Sequence, residues 1–171
     1  MWPNVSLRRL IRHIASTPHA LRRALPEAAR KRIALAIHAA ETGHQGEIEF
    51  AIEAALPWSY LRRNASPRER ARMMFAKLGV WDTEHNNGVL LYVNVADRAV
   101  EIVADRGIAA KVPQATWHAI YHIMRAHFRE SRLEAGAIAG IEAIGGVLAE
   151  HFPLAPGESR GNELPDQPVV L

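Results

Sequence analysis

The sequence predicts an α/β fold, a three-layer α/β/α sandwich around a small mixed sheet, and three observations predict it. Residues 47–53, EIEFAIE, place Ile48, Phe50 and Ile52 on one side of an extended chain, and Glu47, Glu49 and Glu53 on the other. That is the period of a strand. Residues 89–93, VLLYV, are apolar without alternation, as a central strand covered on both faces should be. The tight reversal ADR and the run AVEIVA follow directly, which makes a hairpin. Segments of helical period surround these runs, in the order helix, strand, helix, strand, strand, helix, helix. A strand–helix–strand unit makes the first two strands parallel with a right-handed crossover, and the hairpin makes the third antiparallel.

Each element has its own warrant. Residues 1–25 form a basic arm in which Leu7, Leu10, Ile11 and Ile14 repeat as a helical stripe, with Arg8, Arg9, Arg12 and His13 largely off it. The body of the domain is expected over residues 26–153. Its first helix turns Ile33, Ala36, Ile37 and Ala40 inward and stops near Gly43. Residues 58–64, WSYLRRN, read as a connector after Pro57. The next helix is the best-marked: Ser66 as cap, Pro67 at the first position, Glu69 to complete a capping box, and Gly79 as the left-handed stop. Ala71, Met74, Phe75 and Leu78 are its buried stripe. Residues 105–113 read as a loop whose Pro113 opens a helix with Trp117, Ile120, Tyr121, Met124 and Phe128 on one face. A last helix turns Ile141, Ile144 and Leu148 inward. Residues 154–171, rich in Pro, Gly and polar groups, are expected to be a disordered tail.

Composition narrows the chemistry. The 171 residues include no cysteine, so disulfides, thiolate metal sites and cysteine nucleophiles are excluded. The net charge of +3 conceals a balance of +8 over residues 1–80 and −5 over residues 81–171. A basic arm with an apolar stripe suits an anionic membrane surface. It has no aromatic residues interleaved for base stacking, which argues against nucleic acid as a partner. No secretory leader and no apolar run of ~20 residues is visible. The expectation is a cytoplasmic protein, peripheral at the inner face of the membrane through Arg8, Arg9 and Arg12, or bound to a protein partner.

Residues 73–108, MMFAKLGVWDTEHNNGVLLYVNVADRAVEIVADRGI, followed by residues 127–153, HFRESRLEAGAIAGIEAIGGVLAEHFP, resemble the TPM domain. That family is called after a thylakoid lumen protein, a photosystem II repair protein and a nematode receptor regulator. Glu47–Ile48 falls where the family often opens its first strand, and the likeness runs from about Arg30 to Pro153. The resemblance implies an α/β/α sandwich, acid phosphatase activity in some plant members and bound divalent cations in some bacterial ones. This chain reads VADRGI where many members have a glycine-rich GYGL-like turn, and it shows neither the leader nor the C-terminal membrane helix of typical bacterial members.

Topology then nominates a site. Parallel strands and a hairpin bring Glu47, the loop Asp82, Glu84, Asn86, Asn87, and Asp105 to one end of the sheet. Carboxylate and amide oxygens from neighbouring loops are what Ca²⁺ or Mg²⁺ requires, and Arg106 is placed to counter a phosphate. Two functions remain open. One is a TPM-like module that binds a divalent cation and a protein or membrane partner without a catalytic motif. The other is a metal-dependent phosphatase-like hydrolase of phosphomonoesters. The opposite end of the sheet offers a weaker rival in Asn94, Asp97 and Arg98. Glu49 and Glu53 are expected to be the wet face of an edge strand, and His118 and His122, four apart on a helix, to be solvated.

Overall fold

The computed structural model describes residues 5–158 and 161–171. The alternating stretch forms β1 (Glu47–Glu53), the apolar run β2 (Gly88–Asn94) and the return of the hairpin β3 (Ala99–Ala104). β1 and β2 are parallel with Glu47 opposite Gly88, and β2 and β3 antiparallel with Val89 opposite Ala104. These relations follow the predicted order. A fourth strand, β4 (Val169–Val170), lies parallel to β1 on its other side, giving the order β3-β2-β1-β4.

Helices cover the sheet on both faces. On one side α3 (Glu27–Glu41), α7 (Gln114–Arg129) and α8 (Leu133–His151) pack over Ile48, Phe50, Ile52, Val89, Leu91 and Val93. Ile33, Ile37, Met124, Ile141, Ile144 and Leu148 are wholly buried there. On the other side α5 (Pro67–Lys77) and the chain around Leu164 form a second, smaller core with Ala51, Leu90 and Tyr92. The α5 start is as predicted: Ser66 Oγ accepts from the Glu69 amide at 3.1 Å, and Gly79 closes the helix at φ +72°. The Glu69 carboxylate instead reaches Arg63. Two segments read as connectors contain short helices, α4 (Trp58–Arg62) and α6 (Arg106–Ala109).

The N-terminal arm is two helices, α1 (Leu7–Ala15) and α2 (Pro18–Ala24). Its last turn belongs to the domain, since Leu21 and Leu25 are buried in the main core. α1 is seated on the domain by its polar side. Arg9 and His13 face the domain, while Leu7 is 71% exposed, Ile11 56% and Ile14 69%. The reason is a buried acceptor on the domain, Asp97, which a guanidinium satisfies and a leucine cannot.

Two further expectations are corrected. The tail expected to be disordered contains β4 and the buried Leu164; residues 159–160 lie outside the described residues. Few large apolar residues sufficed, because Leu164, Val169 and Leu171 pack on the smaller core and β1 offers unpaired backbone groups. β1 is therefore not an edge strand, and Glu49 and Glu53 are not on a wet face: both are buried. No helix among the described residues is long and apolar enough to cross a membrane.

Candidate functional site

At the amino end of the sheet three strands stand abreast. Glu47 lies opposite Gly88, and the Asp105 amide donates to the Gly88 carbonyl at 2.9 Å. Residues opposite one another across a sheet share a face, so Glu47 and Asp105 leave the sheet on the same side, two strand spacings apart, roughly 10 Å between Cα atoms. Gly88 between them has no side chain, and a Cβ there would overlap the carbonyl oxygen of Val80. That carbonyl therefore occupies the gap between the two carboxylates.

The loop before β2 is held from both sides. Thr83 Oγ1 accepts from the Asn87 amide at 3.0 Å, and the Asn87 side-chain amide donates to Gln45 O at 2.5 Å. Asn86 has φ +52°, and its carbonyl accepts from the Gly107 amide at 3.1 Å. A Cβ on Gly107 would sit 2.6 Å from that carbonyl, so only glycine lets the DRG turn approach the NNG turn. Asp105 caps α6 through Oδ1, which accepts from the Arg106 amide at 2.6 Å.

Two acceptors are left over. Asp105 Oδ2 and Asn87 Oδ1 are buried and have no hydrogen-bond partner. Glu47 is buried too, but its carboxylate accepts from the amides of Glu163 and Leu164 at 3.4 and 3.3 Å. Asp82, Glu84, Asn86 and Arg106 are exposed at the rim. The Glu84 amide donates to the Glu163 carboxylate at 3.0 Å. The structure brings the loops named from the sequence to one end of the sheet, and of their residues Glu47, Asn87 and Asp105 are buried. Among the described residues no group of three or more His, Asp or Glu side chains is placed to hold a metal ion.

A second acidic group lies along β1. The Glu41 carboxylate accepts from the Ile48 amide at 2.7 Å, at the edge of β1 facing away from β2, and His44 Nδ1 accepts from the Gly46 amide at 3.1 Å. Burial, with the carboxylates of Glu41 and Asp166 adding to it, pushes the Glu49 carboxyl up to about 8. Nothing in the alternating pattern of β1 signalled this, because the cover comes from the distant tail.

The carboxyl end of the sheet, the rival site, is closed. Arg9 grips Asp97 through two nitrogens at 2.7 and 3.0 Å and also reaches Asn64 and the Ala65 carbonyl. His13 Nε2 is 3.1 Å from Asp97, and His13 Nδ1 accepts from the Leu56 amide. Burial alone would raise the Asp97 carboxyl; the hydrogen bonds from Arg9 and His13 outweigh it and hold the group below its usual range. Beneath lie Asn94, the Tyr92 hydroxyl, which donates to Glu53 at 2.5 Å, and Arg70, paired with Glu53 at 2.5 Å. Arg98 is exposed, and so are His118 and His122.

The family model described as TPM domain matches residues 21–147. Among solved structures, the BA42 protein from the psychrophilic bacterium Bizionia argentinensis is similar at TM-score 0.73 and 30% identity, covering 83% of this chain and 92% of that one. The N-terminal domain of a P. gingivalis protein is similar at TM-score 0.60 and 23% identity, covering 77% and 82%, a likeness of fold alone. No curated protein matches. The residues that carry the resemblance, NNGVLL leading into β2, the hairpin, and most of the Gly- and Ala-rich α8, lie within the matched span; the chain belongs to the TPM domain family.

Proposed function

We propose that the domain is a binding module that takes a divalent cation, Ca²⁺ or Mg²⁺, at the amino end of its sheet. The observation that carries this reading is the pair of buried oxygens without donors, Asp105 Oδ2 and Asn87 Oδ1, on neighbouring turns. Each such atom costs about 1–3 kcal/mol when unsatisfied. A carboxylate and an amide oxygen are hard donors, and carbonyls and water complete such shells. Asp105 and Asn87 would hold the ion, and its chemistry there is charge neutralisation. The test is thermal melting with Ca²⁺ or Mg²⁺. A hundredfold excess over the dissociation constant stabilises the fold by about 2.7 kcal/mol. Asp105→Asn, which keeps the α6 cap, removes most of that gain. Melting unmoved by millimolar Ca²⁺ and Mg²⁺ sinks the reading. A phosphomonoester assay run alongside separates the hydrolase alternative, in which exposed Arg106 would face the phosphate: turnover lost in Asp105→Asn would favour it.

The module's partner in this reading is an anionic membrane surface, and a separate observation favours it. α1 is pinned by its polar side, so Leu7, Ile11 and Ile14 are held outward with Arg8 and Arg12 beside them. Trp58, 54% exposed, opens α4, and Arg9 also contacts Asn64 just beyond that helix. An apolar helix face edged by arginines, with a tryptophan on a neighbouring element, suits the headgroup boundary. Cosedimentation with anionic vesicles should fall with salt and disappear in Ile11→Asp. Equal binding to neutral vesicles would refute the role given to the arginines.

A further inference from the structure

We infer that residues 161–171 are a displaceable strap that competes with a cation for Glu47, and so regulate the site proposed above, on which this inference rests. The strap runs along β1 from its amino end. The amides of Glu163 and Leu164 sit on the Glu47 carboxylate, Leu164 enters the smaller core, and Val169–Val170 pair with Ala51 and Ile52. The Leu171 amide then donates to Ile52 O at 2.9 Å.

Its hold is slight beside that of the sheet it covers. β1 pairs with β2 along its whole length, but with the strap at Ala51 and Ile52 and through one further bond, from the Ala54 amide to Leu171 O, with an exposed His38–Asp166 contact beside it. The bonds on Glu47 are long, at 3.3 and 3.4 Å. Beneath it the strap brings Asp166 toward Glu49, whose Oε1 is buried with no hydrogen-bond partner. Segments with short ladders and few apolar anchors open locally at a fraction of the global free energy.

Strap and cation make incompatible demands on Glu47. Docked, the strap buries this residue to 1% exposure and points two N–H dipoles at its carboxylate. A divalent cation that keeps part of its water needs access from solvent, and it repels those dipoles. Glu47 and Asp105 leave the sheet on one face with Gly88 between them. With the strap lifted, Glu47 is freed on the same face as Asp105, whose Oδ2 already lacks a donor, and the Val80 carbonyl between them is a further oxygen donor. The open form therefore presents two carboxylates to the cation, and the closed form one.

Calorimetry of the full chain with Ca²⁺ and with Mg²⁺ tests this, using Leu164→Asp to unseat the strap and Val169→Pro as a second route should the first fail to fold. Apparent affinity scales with the fraction of open protein, so either variant should bind about fivefold or more tightly than wild type. Glu47→Gln in the same background should erase the gain. In the wild-type chain, Ca²⁺ should speed hydrogen exchange at Val169 to Leu171 and leave β2 unchanged. Cation binding of equal strength in all variants, or slower exchange in the tail on adding Ca²⁺, overturns the strap and leaves the cation reading standing. No binding heat in any of them overturns both.

Discussion

Glu49→Gln should abolish a large pH dependence of the fold. In the native protein the Glu49 carboxyl titrates at about 8, against 4.5 when unperturbed. A raised folded value means that the native state holds a proton the unfolded chain releases. Stability from this group is fully present below pH ~4.5, declines through the interval, and is lost once pH has risen through about 8. The slope is about 1.4 kcal/mol per pH unit, so the whole interval is worth at most about 5 kcal/mol. Opening of the strap would hydrate the charge and lower this, which makes about 2–5 kcal/mol the expected range. Glutamine has the shape of the protonated acid and does not titrate. At pH 5 the variant and wild type should agree within about 1 kcal/mol, and at pH 9 the variant should be more stable by the amount above. The carboxylates that act on Glu49, those of Glu41 and Asp166, are present in both proteins, so the difference between the curves reports on the one carboxyl. Urea denaturation at intervals from pH 5 to 9 measures it. Parallel curves for the two proteins would refute the reasoning, and with it the placement of the tail over β1.

Three further outcomes follow from the packing. Ser66→Ala should cost about 1 kcal/mol in denaturant, since the Glu69 amide loses its acceptor. Gly88→Ala should cost about 1–3 kcal/mol or more by the same measure, because the added methyl meets the backbone carbonyl of Val80 and not a yielding side chain. Arg70→Met should cost about 3–5 kcal/mol by stranding the buried Glu53 carboxylate, and adding Glu53→Gln should recover much of it.

The legible part of this chain was the part with local causes. Ser66, Pro67 and Gly79 act within their own turns, and the capped helix was found where it lies. The run VLLYV is apolar on both sides because layers cover both sides, so β2 could be placed at the centre of the sheet before anything was known of its neighbours. The site loops were also readable, since Asn86, Asn87 and Gly88 mark a turn at one end of a strand whose direction the topology determines. What misled was alternation taken as exposure. Glu47, Glu49 and Glu53 show the pattern of a half-wet strand, and all three are buried. Their cover comes from Leu164 and β4, more than a hundred residues away, and from Arg70, whose pairing with Glu53 has no sequence signature. The seating of α1 has a distant cause of the same kind: Asp97 holds Arg9 and His13 against the domain and leaves Leu7, Ile11 and Ile14 exposed, which the stripe alone does not specify.

The two ends of the sheet carry the functional argument between them. In open α/β sheets a ligand ordinarily enters at the carboxyl ends of parallel strands. Here that entrance is filled from within the chain: Arg9 satisfies Asp97 with His13 packed beside it, and the Arg70, Glu53, Tyr92 and Asn94 network beneath is hydrogen-bonded throughout. A network with its polar groups paired gives a ligand little to gain. The amino end differs in the decisive respect. Its turns are fixed as firmly, by Thr83, Gln45 and the close approach of Gly107, yet Asp105 and Asn87 each keep a buried oxygen with nothing to accept from. Rigid turns that hold unsatisfied acceptors are costly unless a positive charge completes them. Sealing one end with α1 also fixes how that helix is displayed. A cation at the amino end and a surface against α1 would then act at opposite ends of β1 and β2, the one gated by the tail and the other set by Arg9.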